Sequence, residues 1–88
     1  MLNIIRSNKF SKDYALMKKR GCKMELLKVA IELIQSKKSL PISYGKHPLK
    51  GKYKGFIDIH IAPDWILIYK VVGDTLYLDR TGTHSDLF

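Results

Sequence analysis

The stretch FIDIHIAPDWILIYKVVGDTLYLDR, residues 56–80, decides the fold of this chain. Isoleucine occupies every second position from 57 to 61, and a period of two is typical of a half-buried strand. The segment WILIYKVV (65–72) is almost continuously apolar, which indicates a central strand. TLYLDR (75–80) supplies a third strand, and short turn sequences separate the three. The stretch therefore predicts a three-stranded antiparallel meander.

The residues before the meander predict one strand and two helices. LNIIR (2–6) has the composition of a short strand. The apolar face of the first helix consists of Phe10, Tyr14 and Met17. The second helix, from about residue 22 to residue 37, has a stripe made of Met24, Leu27, Ala30, Ile31, Leu33 and Ile34. We expect an α+β fold of order β-α-α-β-β-β, with both helices packed on one face of the sheet.

Length and composition limit the class of protein. The 88 residues suffice for one domain, which we expect to cover positions 1–88. No apolar run approaches the roughly 20 residues of a membrane-spanning helix, and cations interrupt the N-terminus too early for a signal peptide. The single cysteine, Cys22, cannot form an internal disulfide. We therefore expect a cytoplasmic protein with a reduced thiol and no membrane partner.

A surplus of positive charge indicates a polyanionic partner. Sixteen Lys and Arg residues oppose eight Asp and Glu residues, so the net charge is +8. No acidic residue occurs between Glu32 and Asp58, where six lysines lie: Lys37, Lys38, Lys46, Lys50, Lys52 and Lys54. Glycines and prolines in residues 39–55, here called the lysine-rich loop, exclude long regular structure, and tyrosines are interleaved with the charge. Such a surface is typical of single-stranded RNA binding, although a lysine-rich loop can also serve solubility alone.

Three histidines can meet on one face of the sheet. If the isoleucines of 57–61 face the helices, alternation directs Asp58 and His60 to the opposite face. Only the lysine-rich loop, which contains His47, and the C-terminal tail (83–88), which contains His84, remain to cover that face. A single histidine is more often structural or exposed than catalytic. Convergence of all three in one cleft would give both the loop and the tail a function, and we expect it.

Two longer segments carry a resemblance to a known family. KHPLKGKYKGFIDIHIAPDWILIYK (46–70) and RTGTHSDLF (80–88) resemble the YafQ group of the RelE/ParE superfamily, the toxin halves of bacterial toxin–antitoxin pairs. The resemblance implies a curved antiparallel sheet with two helices on one face. It also implies an endoribonuclease that enters the ribosomal A site and cleaves the mRNA being translated. A cognate antitoxin protein would silence it.

The resemblance assigns site residues one position at a time. The matching positions are His47 in HPL, His60 in D-x-H, Asp64 and Trp65 in PDW, and His84 and Phe88 in THxxLF. Tyr53 stands where the family commonly has tryptophan. Strand parity places Arg80 on the helix side with Leu76 and Leu78. Either the strand bulges near its end, or Arg80 is less central than the arginine usual there in RelE-like enzymes.

RNA can be cleaved without a metal or a cofactor because its own 2′-OH can attack the adjacent phosphorus. The reaction needs a base for the 2′-OH, an acid for the leaving 5′-oxygen and cations for the developing charge. The catalytic candidates are His84 as acid, His60 and His47 each as base or phosphate ligand, and Asp64, which can orient His60 or simply cap its turn. The RNA-binding candidates are Lys46, Lys50, Lys52, Lys54, Trp65, Arg80 and Phe88. Leu87 can anchor the tail, so that the Phe88 ring lies beside the RNA; Trp65 can stack on a base or fill the sheet face.

Other functions are compatible with parts of the sequence. A non-catalytic RNA-binding module needs the basic loop and the aromatic rings but not three histidines. A gyrase-directed toxin similar to ParE shares the fold and does not need this histidine set. A zinc site built from His47, His60, His84 and one carboxylate has suitable ligand types, but the spacing contains no local ligand pair.

Overall fold

The computed structural model describes residues 1–88, which form five strands and three α-helices. In chain order these are β1 (Asn3–Arg6), α1 (Asn8–Lys19), α2 (Met24–Gln35), β2 (His47–Pro48), β3 (Ile57–Ala62), β4 (Trp65–Val72), β5 (Thr75–Gly82) and α3 (His84–Leu87). The predicted α+β class is confirmed, and the two short elements β2 and α3 are added to the predicted order. None of the helices combines the length and the apolar character needed to cross a membrane.

The strand β4 lies at the centre of a single sheet of order β1-β5-β4-β3-β2. The pairs β2–β3, β3–β4 and β4–β5 are antiparallel, which confirms the meander. The strand β1 runs parallel to β5, with Asn3 opposite Thr75 and Arg6 opposite Leu78. The expected antiparallel sheet is therefore corrected to a mixed one. Side-chain alternation identifies β1 as a strand but carries no information about its direction.

Both N-terminal helices pack on one face of this sheet, as predicted. Ser7 caps α1, because its Oγ accepts the backbone N–H of Phe10 at 2.9 Å. Phe10 and Met17 are buried, whereas Tyr14 lies at the exposed rim of the same helix. The helices and the helix-facing strand residues form the main core: Leu2, Phe10, Met17, Leu27, Ala30, Ile34, Ile59, Ile61, Trp65, Leu67, Tyr69, Leu76 and Leu78.

A second, smaller apolar cluster lies on the opposite face of the sheet. Its buried members are Tyr53, Ile66, Ile68 and Leu87, with Leu49 and Phe56 packed against them. These residues come from the centre of the sheet, the lysine-rich loop and the C-terminal tail. The loop and the tail therefore cover the face that the helices leave open, and we call it the loop-and-tail face.

A β-bulge near the end of β5 changes the side on which Arg80 lies. In the pairing of β4 with β5, Tyr69 is opposite Leu78, but the neighbouring Ile68 is opposite Arg80. One residue, Asp79, is thus extra on β5, and a one-residue insertion reverses the parity of everything beyond it. Arg80 consequently lies with Ile68 on the loop-and-tail face. The strand-parity placement of Arg80 beside Leu76 and Leu78 is wrong, and the bulge is the reason.

Candidate active site

Two of the predicted histidines lie side by side on the loop-and-tail face. His60 is on β3, opposite Ile66 of β4. His84 is the first residue of α3. The centroids of the two imidazole rings are 5.8 Å apart, with an angle of 36° between the ring planes. The tail therefore returns across the sheet as predicted and delivers His84 to His60.

One carboxylate oxygen of Asp64 contacts two nitrogen atoms of His84. The Asp64 Oδ1 atom accepts the backbone N–H of His84 at 3.0 Å and lies 2.8 Å from His84 Nδ1. The backbone N–H of His84, and after it the His84 ring, lower the pKa of the Asp64 carboxyl below its ordinary value. An ionised carboxylate only accepts hydrogen bonds, so Nδ1 carries a proton. The other ring nitrogen, Nε2, is left to act on a substrate.

The partner of Asp64 differs from the one expected from the sequence. Asp64 was predicted to orient His60, but the structure pairs it with His84. Asp64 has a left-handed backbone (φ 55°) in the turn between β3 and β4, at the end of the sheet to which the tail returns. His60 was the expected partner because it is close to Asp64 along the chain. The return of the C-terminal tail instead places His84 next to Asp64.

His47 forms a separate pair with Asp58. The two residues are directly opposite each other in the β2–β3 pairing, and His47 Nδ1 contacts Asp58 Oδ1. Asp58 is only 4% exposed, and this oxygen accepts no hydrogen bond of good geometry. A buried carboxylate is costly unless it is paired, so the imidazole is its main compensation. The three histidines thus share one face but form two pairs, His84 with His60 and His47 with Asp58.

Asp58 is a site residue that sequence reasoning did not select. Alternation placed it on the correct face, but its cation partner was not recognised. The register supplies that partner, because His47 and Asp58 are opposite each other, Asp58 is opposite Ile68, and Ile68 is opposite Arg80. Directly opposite side chains lie on the same face of a sheet. His47 and Arg80 are therefore the two ends of one row across the loop-and-tail face.

Arg80 is held by a carboxylate from α1. Its Nε and Nη2 atoms donate to the two oxygens of Asp13 at 2.7 and 3.1 Å, and the backbone N–H of Thr81 donates to the same carboxylate at 3.2 Å. This pairing raises the pKa of the Arg80 guanidinium above its already high ordinary value. A guanidinium has five N–H groups, so the bonds to Asp13 leave donors for a phosphate.

A series of rings leads from the lysine-rich loop to the histidines. Successive centroids are 6.3 Å apart for Phe56 and Tyr53, 5.7 Å for Tyr53 and Phe88, and 6.4 Å for Phe88 and His84. Leu87 is buried and Phe88 is 63% exposed, so the tail is anchored by one residue and presents the ring of the next. Phe88 therefore lies beside His84 with much of its surface free.

Trp65 does not belong to this surface. Its side chain is 4% exposed in the main core, on the helix side, and its Nε1–H donates to Thr81 Oγ1 at 2.9 Å. The prediction that Trp65 stacks on an RNA base is therefore wrong. Simple alternation across the two-residue turn would place Trp65 with Ala62 on the face of His60. A register shift between His60 and Ala62 instead brings Trp65 to the helix side, with Leu67 and Tyr69.

The remaining predicted RNA ligands are exposed. Lys46, Lys50, Lys52 and Lys54 all lie at the surface of the lysine-rich loop, and Lys52 Nζ is 5.4 Å from the centroid of the Tyr53 ring. No group of three His, Cys, Asp or Glu residues has the geometry to hold a metal ion. The site thus combines the His84–His60 pair, the His47–Asp58 pair, the arginine held by Asp13, the exposed Phe88 ring and exposed lysine side chains.

Comparison with known proteins identifies the family. Residues 2–88 match the family model described as "Bacterial toxin of type II toxin-antitoxin system, YafQ". The mRNA interferase toxin YafQ of Escherichia coli strain K12 is 47% identical over 83 residues, which cover 93% of this chain and 90% of that protein.

Solved structures agree with the sequence comparison. The crystal structure of YafQ from E. coli strain BL21(DE3) has a TM-score of 0.94 and 43% identity, covering 100% of this chain and 99% of that one. YafQ in the E. coli DinJ–YafQ complex has a TM-score of 0.90 and 45% identity, again covering 100% and 99%. The chain belongs to the YafQ family of bacterial toxins of type II toxin–antitoxin systems.

Proposed function

We propose that this chain is the toxin of a type II toxin–antitoxin pair and acts as an mRNA interferase, an endoribonuclease that inhibits translation by cleaving mRNA. The observation that carries the proposal is the Asp64–His84–His60 arrangement, an oriented imidazole beside a second one. The exposed Phe88 ring and the lysine-rich loop lie around it, in a chain of net charge +8. The 47% identical E. coli relative is named an mRNA interferase toxin, which supports the same activity here.

The proposed reaction uses the 2′-OH of the substrate as the nucleophile. A base removes the proton of the 2′-OH, the oxygen attacks the adjacent phosphorus, and the bond from phosphorus to the 5′-oxygen breaks. His84 donates a proton from Nε2 to that leaving oxygen, giving a 5′-OH and a 2′,3′-cyclic phosphate. Asp64 accepts the hydrogen bond from Nδ1–H, so the ring presents Nε2 to the substrate.

Two imidazoles are candidates for the base. His60 lies 5.8 Å from His84, centroid to centroid, so both can reach one phosphodiester. His47 is oriented by the buried Asp58 and is itself well exposed. Whichever ring does not accept the proton is placed to bind the phosphate.

The developing negative charge on the phosphate requires cations. Arg80 is held in position by Asp13 and retains free N–H donors, as described above. Preorganised donors are effective because no reorganisation is needed when the charge develops. The exposed lysines Lys46, Lys50, Lys52 and Lys54 bind the backbone of the RNA on either side of the reacting phosphate.

The cellular context follows from the same proposal. E. coli YafQ has been crystallised in a complex with DinJ, and we infer that a cognate antitoxin protein likewise binds this chain. An acidic segment of such an antitoxin suits the lysine-rich loop by charge. The whole chain, residues 1–88, acts as one toxin domain in the cytoplasm, where it enters the ribosomal A site and meets translated mRNA.

Replacing His84 should abolish toxicity. We expect His84→Ala to relieve the growth arrest caused by induced expression, because loss of a general acid typically costs 10²–10⁴-fold in rate. Growth and mRNA 5′ ends are measured after induction. Ser85→Ala, an exposed change in the same helix, is the matched control and should remain toxic. A soluble, folded His84→Ala protein as toxic as the parent would refute the acid assignment.

Removing metal ions should leave the activity intact. The toxin is treated with EDTA and desalted before magnesium-containing ribosomes are added. We expect it to cleave at the rate of the untreated toxin, because the 2′-OH of the substrate and the side chains of the protein supply the proposed chemistry. Cleavage is followed by primer extension on a defined mRNA. Loss of cleavage that zinc restores would instead support a metal site at His47, His60 and His84.

The lysine-rich loop should account for much of the salt dependence of RNA binding. Each phosphate neutralised on a single strand contributes about −0.7 to the slope of log K against log salt. In an inactive His84→Ala background, replacing Lys50, Lys52 and Lys54 with Gln should therefore flatten the slope by up to about 2. The same variant should bind the antitoxin less tightly.

The control for the lysine variant removes the same charge elsewhere. Lys12, Lys18 and Lys19 lie exposed on α1, and their replacement with Gln should change the slope much less. Equal salt slopes for the two triple variants would show that the lysines of the loop contribute no more to RNA binding than the lysines of α1.

Phe88 should contribute to cleavage by stacking on a base. Stacking is worth about 1–3 kcal/mol per base, or roughly 5- to 150-fold in rate when it operates in the transition state. Phe88→Leu keeps most of the apolar contact with Tyr53, so we expect unchanged thermal stability with at least about tenfold slower cleavage. Parental activity both in Phe88→Leu and in a protein ending at Leu87 would show that the ring only packs the tail.

A further inference from the structure

One stripe of α1 is devoted to the C-terminal segment of the chain. Phe10 and Met17, seven residues apart, are buried in the main core. Asp13 and Arg20 are also seven residues apart, Arg20 being the C-cap residue that follows Lys19. They reach the segment that follows the bulge of β5, Asp13 through Arg80 and Arg20 through Asp86. Residues at this spacing lie on one side of a helix. The helix thus holds the chain at two points, residues 80 and 86, between which His84 lies.

The contact between Arg20 and Asp86 is bidentate. Arg20 Nη1 donates to Asp86 Oδ2 at 2.7 Å, and Nη2 donates to Oδ1 at 3.2 Å. Two parallel bonds fix the relative orientation of the groups as well as their distance, which a single bond between charges does not. The Arg20 guanidinium, followed by the Thr83 N–H, holds the pKa of Asp86 well below its usual range, so the pair stays charged where histidines titrate.

Asp86 in turn determines how the chain enters α3. Its Oδ2 accepts the backbone N–H of Thr83 at 2.9 Å, while Thr83 Oγ1 accepts the backbone N–H of Asp86 at 3.2 Å. This reciprocal capping box surrounds His84, the first residue of the helix. Asp86 also lies against Gly82, where an added Cβ would be 3.0 Å from Asp86 Oδ2.

A helix of four residues cannot hold its shape alone. Nucleating a helical turn is unfavourable, and isolated helices far longer than α3 are marginal in water. Its conformation must therefore come from tethers, which are the burial of Leu87, the contact of His84 with Asp64, and the Arg20–Asp86–Thr83 network. Of these three tethers, only the Arg20–Asp86–Thr83 network includes a residue outside the loop-and-tail face, namely Arg20.

We infer that Arg20 is a positioning residue for His84. By holding Asp86 in its capping geometry, it keeps the first turn of α3 in the one arrangement that places the His84 ring against Asp64 and beside His60. Arg20 itself contacts neither His84 nor His60; it acts through Asp86 and Thr83. The inference rests on the proposed function, in which His84 is the general acid.

Two other roles for Arg20 must be distinguished by experiment. If Arg20 serves stability alone, its loss would lower the free energy of unfolding and would reduce cleavage only in proportion to the unfolded fraction. As an RNA ligand it would change affinity, and its loss would flatten the salt slope by about 0.7. A positioning residue instead changes kcat while KM and the salt slope stay at the parental values, because the misplaced acid affects only the transition state.

The first experiment measures cleavage by Arg20→Ala and Arg20→Lys. We expect kcat to fall about 10- to 100-fold in Arg20→Ala, the scale of a small misplacement of a catalytic group. Lysine keeps the charge but not the bidentate geometry, so Arg20→Lys should recover part of the loss. Lys19→Ala removes the same charge from the same helical turn and serves as the matched control, with parental kcat.

The second variant, Asp86→Asn, distinguishes a loss of positioning from a loss of positive charge, because it should lower kcat without lowering RNA affinity. Asp86→Asn removes a negative charge, so RNA affinity should hold or rise. Asparagine still offers an oxygen to the Thr83 N–H, so mainly the ion pair with Arg20 is lost. We expect kcat to fall as in Arg20→Ala, and the double variant to be no slower than either single one, since both changes break the same contact.

A readout independent of activity tests the positioning directly. The backbone N–H of His84 is bonded to Asp64, so its hydrogen exchange reports whether the tail is in place. We expect exchange at His84 to accelerate at least tenfold in Arg20→Ala, with little change at core amides of β4. This measurement stands even if a variant is too unstable for kinetics.

The outcomes separate this inference from the proposed function. A parent protein that does not cleave RNA would refute the proposed function, while His84 exchange would still test the positioning. Parental kcat and parental His84 exchange in Arg20→Ala would overturn the inference, as would a fall in affinity with a flatter salt slope at unchanged kcat. A fall in kcat in Lys19→Ala as large as the fall in Arg20→Ala would also overturn the inference.

Discussion

The burial of β4 on both of its faces is the constraint on which the rest of the structure depends. Five consecutive residues, Trp65 to Tyr69, are at most 4% exposed, and they alternate between two apolar clusters. The helices cover one face completely. The other face offers only Ile66 and Ile68, too small an apolar surface for a further helix or sheet. The lysine-rich loop and the C-terminal tail complete it, and they bring His47 and His84 to the face on which His60 lies.

This arrangement explains why the candidate site lies where it does. A loop rich in lysine cannot be buried, so it covers the apolar residues with Tyr53 and Leu49 and leaves its charges in water. The tail is anchored by Leu87 in the same way and leaves Phe88 outside. The candidate substrate-binding groups therefore surround a small cluster of residues whose burial holds them in place. A site on exposed loops gains its rigidity from the sheet beneath it.

Sequence reasoning succeeded where one local period determines the answer. It located the meander, the central strand, the face of His60 and the anchoring role of Leu87. It failed where the answer depends on register or on distant pairing: the bulge at Asp79 reversed the side of Arg80, and β1 joined β5 in parallel. The partner of Asp64 depends on how the tail returns. The helix α3 is too short to show a period, although Thr83 and Asp86 have the T-x-x-D spacing of a capping box.

The distribution of carboxylates shows how a strongly basic protein can keep acidic groups near its candidate active site. Only eight acidic residues are present, and four of them contact a histidine or an arginine around the site: Asp13, Asp58, Asp64 and Asp86. Unpaired, each would repel phosphate. A carboxylate paired with an arginine offsets its own charge, and one paired with a histidine fixes the orientation of an imidazole. All four contacts use arginine or histidine, and none uses lysine. In the proposed function the cationic groups have two roles: those paired with a carboxylate are held for chemistry, while the unpaired lysines supply the field that attracts RNA.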